Sequence, residues 1–149
     1  MSASLHLAGP EDMKKLLPLV RAFHEERRIE ITEAVRQAGL APLLAGSSYG
    51  AVYLIGPRAA PVGYVALAFG WSVALGGMNG FVDEFFVRPA VRGRGVGGEA
   101  LLTLLPQLSQ AGIRALHMEV DRENPKAKAL YRRWGFLVRD GAQLATWRA

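Results

Sequence analysis

Apolar residues in the first part of the chain predict one strand and one helix. Residues 5–8, LHLA, form a short apolar run that is typical of a strand. Gly9 and Pro10 then favour the start of a helix, because proline fits the first helical turn. Within that helix, five apolar side chains recur at helical spacing: Met13, Leu16, Leu17, Val20 and Phe23.

A second helix and a strand meander follow. Thr32 is a suitable N-cap for a helix through Val35 to Ala38, which Gly39 ends. Pro42 limits any continuation to a short extra turn. Beyond it, short turns separate apolar segments with few charges. These segments predict three consecutive strands in an antiparallel meander: SYGAVYLIG, VGYVALAFGWSV and FVDEFFVRP.

The last third of the chain alternates between helix and strand. The pattern predicts a helix from about Gly97 to Gly112, a strand in RALHMEV, a helix from about Pro125 to Trp134, and strand material in GFLVRDGAQLATW. Because a strand–helix–strand connection is a right-handed crossover, the strands at Val87 and Val120 should be parallel. The predicted fold class is α/β (α+β), with antiparallel N-terminal strands, a central parallel pair and about four flanking helices.

Length and composition indicate the number of domains and exclude several kinds of functional site. With 149 residues, 50% of them hydrophobic and 21% charged, the chain is long and apolar enough for one domain over residues 1–149. It has no cysteine, which excludes disulfides, thiolate metal ligands and cysteine nucleophiles. His6, His24 and His117 lie far apart without a metal-binding spacing, so no metal site is predicted.

Charge and hydropathy narrow the expected compartment and partners. The N-terminal residues lack the pattern of a signal peptide. The most apolar stretch, VGYVALAFGWSVALGG, is too short and too rich in glycine to span a bilayer. We therefore expect a soluble cytoplasmic protein. The net charge of +5 and the pI of about 10.0 favour an anionic partner, either a phosphorylated small molecule or nucleic acid.

The segment VRPAVRGRGVGGEALLTLL joins the last strand of the meander to a helix. Glycines there let successive backbone N–H groups point outward, and the helix N-terminus that follows carries partial positive charge. Arg88, Arg92 and Arg94 would repel one another in a simple connector, whereas an anionic ligand would relieve that repulsion. These features predict a pyrophosphate site.

Two other phosphate-binding loops fit this segment less well. No Gly-Lys-Ser/Thr ending exists, which excludes a P-loop. Gly93, Gly95 and Gly98 do spell the G-x-G-x-x-G of a dinucleotide fold, and Asp121 follows near the place of a ribose-binding acid. However, the preceding strand carries two adjacent acids instead of a continuous apolar run. Too little chain follows to build a second nucleotide-binding half.

Two segments together resemble the GNAT superfamily of N-acyltransferases. Its acyl-CoA signature, Arg/Gln-x-x-Gly-x-Gly/Ala, matches Arg92, Gly95 and Gly97, and an apolar helix follows. Its second segment is similar to ENPKAKALYRRWGF, with six matching residues: Asn124, Ala127, Leu130, Tyr131, Gly135 and Phe136. The resemblance implies a GNAT-like mixed sheet, acetyl-CoA as the co-substrate and transfer of its acetyl group to an amine.

The resemblance also implies which residues bind the co-substrate. They lie at the end of the strand, in the glycine loop and in the second segment: Phe86, Val87, Arg92, Gly93, Arg94, Gly95, Val96, Gly97, Gly98, Asn124 and Tyr131. The adenosine end of CoA also needs basic neighbours. Four residues of the second segment are candidates for that contact: Lys126, Lys128, Arg132 and Arg133.

The acceptor amine must lose a proton before it attacks a thioester, because a Lys-like amine with a pKa of about 10 is mostly protonated at neutral pH. A carboxylate can take that proton, and DEFFV offers Asp83 and Glu84. Their side chains should face opposite sides of the sheet, so only one faces the acceptor. DEFFV is similar to the EDFFV of spermidine/spermine acetyltransferases, which points to Asp83 and to a small amine, and Glu84 stays a candidate. Alternatively, the acids pair with arginines or bind a cationic substrate.

The family implies the rest of the chemistry. A bulge in the strand frees a backbone N–H at Val87 or its neighbours, and this N–H stabilises the thioester oxygen as it gains charge. Tyr131 protonates the departing CoA thiolate. Asn124 caps the helix that carries Tyr131.

Several other residues are expected near the acceptor, at the surface or in the core. Three acids fall where this superfamily shapes its acceptor site: Glu25, Glu26 and Glu30. His24 is expected at the surface of an amphipathic helix. Phe69 and Trp71 are expected in the core or in the wall of the acceptor pocket.

Three other functions compete with this interpretation. A non-catalytic acyl-CoA-binding module of the same fold would bind the ligand without turnover, and a protein N-acetyltransferase would acetylate a protein amine. A nucleic-acid-binding domain ranks last, because the basic residues concentrate around the glycine loop instead of spreading along a face. Exposed strand edges and the family habit also predict a homodimer.

Overall fold

The computed structural model describes residues 4–149. The chain divides into two compact units, one that ends at Met118 and one that spans Glu119–Ala149. The first unit holds a five-stranded sheet and three α-helices, and the second holds one α-helix. None of the helices within residues 4–149 is long and apolar enough to cross a membrane.

The sheet is mixed, as the sequence predicts. Its strands lie side by side in chain order: β1 (Leu5–Leu7), β2 (Gly50–Ile55), β3 (Gly63–Ser72), β4 (Gly77–Val87) and β5 (Ile113–His117). Strands β1 to β4 pair antiparallel, and β4 pairs with β5 in parallel. The predicted meander and the predicted parallel pair are both confirmed.

The parallel pairing lies earlier in the strands than expected. It joins Met78–Phe81 of β4 to β5, and Val120 lies beyond the end of β5. Strand β4 begins at Gly77, before the first residue of the predicted strand FVDEFFVRP, so the β3–β4 connection is short. From Val82 onward, β4 pairs with β3 alone among the described strands. The half of β4 that carries the two acids therefore has one edge that no described strand covers.

The described part of the chain also contains four α-helices: α1 (Met13–Glu26), α2 (Glu33–Leu44), α3 (Val96–Gln110) and α4 (Pro125–Arg133). Thr32 caps α2 as predicted, because its hydroxyl accepts a hydrogen bond from the Val35 N–H at 3.2 Å. The prediction that Gly39 ends this helix is wrong. Helix α2 continues to Leu44 because Leu40 and Leu44 are buried, which outweighs the low helix propensity of glycine.

Two hydrophobic clusters lie on opposite faces of the sheet. Alternate side chains of β3 enter each of them, since successive residues of a strand point to opposite faces. Tyr64 and Ala66 belong to the cluster that α1 and α2 cover, and Val65 and Leu67 belong to the cluster beneath α3. Helices therefore press on both faces and hold β3 and β4 in place.

The predicted terminal strand does not form. Residues 136–149 contain no strand, and Leu137 and Trp147 are exposed. The carbonyl oxygens of Asp140 and Ala142 accept hydrogen bonds from the Arg122 guanidinium, at 3.4 Å each, instead of from a neighbouring strand. Alternation in the sequence is not sufficient for a strand, because its backbone groups also need a partner edge.

Candidate active site

Strand β4 carries a bulge at the two acids. In its pairing with β3, Ala66 lies opposite Glu84 and Leu67 lies opposite Val82, so Asp83 is the extra residue. Val87 is in regular register with β3. The bulge implied by the family resemblance is present, and it lies at Asp83 rather than at Val87.

The bulge changes the direction of the side chains around it. Val82 and Phe85 both pack against the cluster beneath α3, with Asp83 and Glu84 between them. Strict alternation would send Val82 and Phe85 to opposite faces. The alternation that predicted opposite faces for the two acids does not hold at this point of the strand, and the charges of both acids act on the Tyr64 hydroxyl.

Glu84 is held through both of its carboxylate oxygens. The Tyr64 hydroxyl donates to Oε1 at 2.9 Å, and His24 Nε2 lies 2.6 Å from Oε2. Behind the histidine, Arg36 donates from Nε to His24 Nδ1 at 3.1 Å. The carboxylate is thus fixed in position by residues of β3, α1 and α2.

The expectation that His24 lies at the surface is wrong, since only 4% of the residue is exposed. It follows Val20 by four positions and adjoins Phe23, so it continues the helical stripe that packs on the sheet. That spacing was a signal by which the sequence could have placed His24 inward. Its partners Glu84 and Arg36 are 60 and 12 positions away, and no local pattern joins them to it.

Tyr64 has a strongly perturbed hydroxyl. The residue is fully buried. Burial raises the pKa of Tyr64 well above its usual value, and the negative charges of Glu84 and Asp83 raise it further. Tyr64 therefore keeps its proton across the ordinary pH range and remains a donor to Glu84.

Tyr64 should make the protein less stable at alkaline pH. The folded state holds the Tyr64 proton after the unfolded chain has lost it, so its contribution is fully present below about pH 10 and is lost at higher pH by about 1.4 kcal/mol per pH unit. We expect Tyr64→Phe to lack this loss. The check is urea unfolding of both proteins between about pH 8 and pH 11. The gap between their free energies of unfolding should be constant below about pH 10 and should change above it; a constant gap throughout would contradict the assignment.

The glycine loop turns tightly between β4 and α3. A short 3-10 turn, Pro89–Val91, follows the strand. Gly93 and Gly95 then adopt φ angles of +79° and +77°, which residues with side chains rarely do. Gly95 is the N-cap of α3, so the N–H groups of the first helical turn lack helical partners. A Cβ on Gly97 would lie 3.0 Å from the Phe85 ring, so the loop also packs closely against the strand.

The Arg92 side chain is held by the protein itself. Its guanidinium binds both carboxylate oxygens of Glu26, at 2.8 and 3.1 Å, and donates from Nε to the Val87 carbonyl at 2.7 Å. It also lies over the Phe86 ring, 5.4 Å from the ring centroid. Arg92 therefore ties the glycine loop to the last turn of α1.

The other residues expected near an acceptor lie in different environments in the structure. Phe69 packs against the cluster beneath α3, whereas Trp71 is 70% exposed and is not a core residue. Of the three acids, Glu26 is engaged by the loop arginine, and Glu25 and Glu30 are exposed.

In the second unit, α4 begins as predicted. Asn124 Oδ1 accepts a hydrogen bond from the Ala127 N–H at 3.0 Å, with proline at the first helical position. This confirms the predicted N-cap. Tyr131 is half-buried, and its ring packs near Trp134 and Phe136, with centroids 5.4 and 6.4 Å away.

Two of the four basic residues of α4 are paired within the second unit. Lys128 and Arg132 contact the Asp140 carboxylate, at 3.0 and 3.5 Å. The hydrogen bond from Lys128 lowers the pKa of Asp140 below its usual value. The other two, Lys126 and Arg133, are exposed.

A comparison with protein families decides where this chain belongs. The model of the Acetyltransferase (GNAT) family matches residues 16–136, which is most of the chain. The chain belongs to the GNAT acetyltransferase family. The match includes the bulge, the glycine loop and α4, and it runs through both compact units. A search of curated proteins found no match.

This GNAT protein is also similar to solved structures. It is 32% identical to the integron cassette protein HFX_CASS3 from the mobile metagenome of Cole Harbour Salt Marsh, over 97% of this chain and 89% of that one, with a TM-score of 0.82. It shares its fold with AAC(6′)-Iy in complex with the bisubstrate analogue CoA-S-monomethyl-acetylneamine, at 13% identity, 100% coverage of both chains and a TM-score of 0.79. It also shares its fold with the ribosomal-protein-alanine N-acetyltransferase from Brucella melitensis biovar Abortus 2308, at 16% identity, 99% and 100% coverage and a TM-score of 0.76.

Proposed function

We propose that this protein is an N-acetyltransferase that moves the acetyl group of acetyl-CoA to a primary amine of a small molecule. The observation that carries the proposal is the bulge at Asp83, which sets two adjacent carboxylates in an interrupted ladder on the strand that leads into the glycine loop. Membership of the GNAT family supports acetyl transfer. Residues 1–149 act as a single domain, since the family match spans both units.

The glycine loop fits the phosphates of acetyl-CoA. Its two positive-φ glycines and the start of α3 leave backbone N–H groups without helical partners, and these suit an anion. Arg88 and Arg94 are exposed in the same segment and add positive charge. Because the Arg92 guanidinium is already bound by Glu26, Arg92 acts through its backbone and by orienting the loop.

The reaction divides the chemistry among three side chains and the bulge. Asp83 accepts the proton that the acceptor ammonium must lose. The amine nitrogen then forms a bond to the thioester carbonyl carbon, a backbone N–H of the bulge stabilises the carbonyl oxygen, and the C–S bond breaks. The Tyr131 hydroxyl gives its proton to the departing thiolate, and the nitrogen loses its second proton as the amide forms, which returns a proton to Tyr131 through solvent. Glu84 secures the strand, because both of its oxygens already accept hydrogen bonds.

The proposed acceptor is a small amine. A small amine is favoured by the similarity of DEFFV to spermidine/spermine acetyltransferases and by the fold shared with AAC(6′)-Iy. A protein amine is the alternative, supported by the fold shared with the Brucella enzyme. A homodimer and a cytoplasmic location stay predictions.

Acetyl-CoA should raise the melting temperature of the protein and should then release free thiol when an amine is added. At about 100 times Kd, a ligand stabilises the folded state by about 2.7 kcal/mol, which for this chain length is a rise of about 5–10 °C. The measurement is thermal unfolding with acetyl-CoA, followed by a thiol-release assay over a panel of polyamines, aminoglycosides and peptides.

Two glycine variants make this test specific to the loop. Gly95 and Gly112 both have positive φ, and a Cβ at either position would meet open space, but only Gly95 lies in the loop. Gly95→Asp should abolish the thermal shift by adding negative charge to the anion site, whereas Gly112→Asp should keep it. No shift of the wild type at about millimolar acetyl-CoA would overturn the proposed function. A shift without thiol release from any amine would favour the non-catalytic acyl-CoA-binding module.

A further inference from the structure

Arg36 and His24 form a buried polar pair behind Glu84, and the proposed reaction uses neither of them. Their side chains are only 8% and 6% exposed. The pair joins α2 to α1, and the contact of His24 with Glu84 continues the chain of hydrogen bonds to β4. Burial of such groups is costly unless their hydrogen bonds are made, so the protonation of the ring follows from its partners.

The contact between Arg36 and His24 determines where the ring proton lies. A guanidinium has only donors and keeps its charge, so the Arg36 Nε–H donates to His24 Nδ1. Nδ1 accepts only if it carries no proton. The ring is then neutral, its proton lies on Nε2, and Nε2–H donates to Glu84 at 2.6 Å.

The Arg36 guanidinium occupies the Nδ1 side of the ring, where a second proton would have to lie. An imidazolium beside Arg36 would place two cations in contact inside the protein. The Arg36 charge is itself paired with Glu33, and the hydrogen bond from Arg21 lowers the pKa of Glu33, which keeps it ionised. The charged and titratable groups around the ring come from three elements: Arg36 and Glu33 of α2, Glu84 and Asp83 of β4, and Tyr64 of β3.

We infer that Arg36 is a positioning residue: it holds His24 as the neutral Nε2–H tautomer, and His24 in turn holds the Glu84 carboxylate beside the bulge. Tyr64 donates to the other oxygen of the same carboxylate. Glu84 therefore stays an oriented acceptor between two donors that keep their protons. The effect on turnover rests on the proposed function, whereas the state of the ring does not.

Nitrogen-15 NMR of the His24 ring tests this inference in the full chain. In the wild type, we expect an unprotonated Nδ1 and a protonated Nε2 at about pH 7. Arg36→Met keeps an apolar stem but removes the cation and the donor to Nδ1, so Nδ1 should no longer be held without a proton. The kcat of the Arg36→Met variant should fall about tenfold, with an unchanged KM for acetyl-CoA, because Asp83 and Glu84 lose their fixed orientation.

Two further arginine variants complete the test. Arg36→Lys keeps a cation and a donor, so it should restore the neutral ring and most of the turnover. Arg21→Met removes the exposed partner of Glu33 without touching the ring, and it should leave the ring state as in the wild type. A wild-type Nδ1 that carries a proton at this pH overturns the inference, and so does an Arg36→Met ring whose Nδ1 stays unprotonated. If Arg36→Met does not fold, the wild type and Arg36→Lys decide.

The activity measurement separates this inference from the proposed function. An altered ring with unchanged kcat in Arg36→Met overturns the positioning role. If no amine is acetylated by the wild type, the proposed function fails, and the ring state in the wild type and the variants still decides whether Arg36 holds His24.

Discussion

Asp83→Asn is expected to lower kcat by about 10²- to 10³-fold, because the acceptor ammonium then has no carboxylate to take its proton. Asparagine has nearly the same shape as aspartate, so the bulge and the packing of Val82 and Phe85 should persist. Binding of acetyl-CoA, measured by thermal shift, should be unchanged, since the phosphates are assigned to the glycine loop.

Exposure favours Asp83 over Glu84 as the proton acceptor, and the hydrogen bonds of Glu84 give that residue a structural role. Asp83 is exposed at the bulge, whereas Glu84 is partly buried and both of its oxygens accept hydrogen bonds from Tyr64 and His24. An acid that accepts a proton from a substrate must be reachable from solvent or from the substrate. The carboxylate of Glu84 already satisfies buried donors, and its protonation would disturb them.

Glu84→Gln is the matched control for the Asp83 variant. It removes a charge that two donors share, so it should cost about 1.5–3 kcal/mol of stability and reduce turnover less than Asp83→Asn does. The pH dependence of kcat/KM distinguishes the two roles, because the acidic limb should disappear only in Asp83→Asn. Loss of that limb in Glu84→Gln alone would assign the proton transfer to Glu84. If both variants keep the wild-type profile, neither acid is the base.

Tyr131→Phe is expected to lower turnover by about 10²-fold and to leave acetyl-CoA binding intact. The departing thiolate needs a proton, and a phenol with a pKa of about 10 can supply one to a thiolate as the C–S bond breaks. Phenylalanine keeps the ring that packs near Trp134 and Phe136, so α4 should retain its structure.

Thiol release under saturating acetyl-CoA and amine measures this effect, with thermal shift as the binding measurement. Tyr49→Phe is a suitable control, because Tyr49 is 80% exposed and lies outside the proposed site. It should keep the wild-type rate. A wild-type rate in Tyr131→Phe would remove this hydroxyl from the mechanism.

The parts of the site that could be predicted from sequence are those that neighbouring residues define. The glycine loop, the DEFFV acids and the α4 segment are each short contiguous motifs, so their resemblance to the GNAT motifs identified Arg92, Gly95, Gly97 and Tyr131 as candidates. The N-caps Thr32 and Asn124 were predictable for the same reason, because a cap hydrogen bond spans three residues.

The partners of those residues could not be predicted in the same way. His24 and Tyr64 reach Glu84 from α1 and β3, across 60 and 20 positions of sequence, and Arg36 of α2 reaches His24. Each of them looks ordinary in its own segment. The Arg92 side chain gives a second example, since its partner Glu26 is 66 residues away and turns an expected phosphate ligand into an anchor of the loop.

The sequence by itself determined the order and type of most elements, the mixed sheet and the family, because periodicity and motif spacing act over a few residues. Only the tertiary structure decided the register of β4. Val82 and Phe85 both pack beneath α3, and this packing leaves Asp83 as the extra residue and cancels the alternation of the two acids. It also decided that α2 passes Gly39 and that residues 136–149 form no strand. In each case the deciding free energy is burial or pairing with a distant segment, which no local pattern contains.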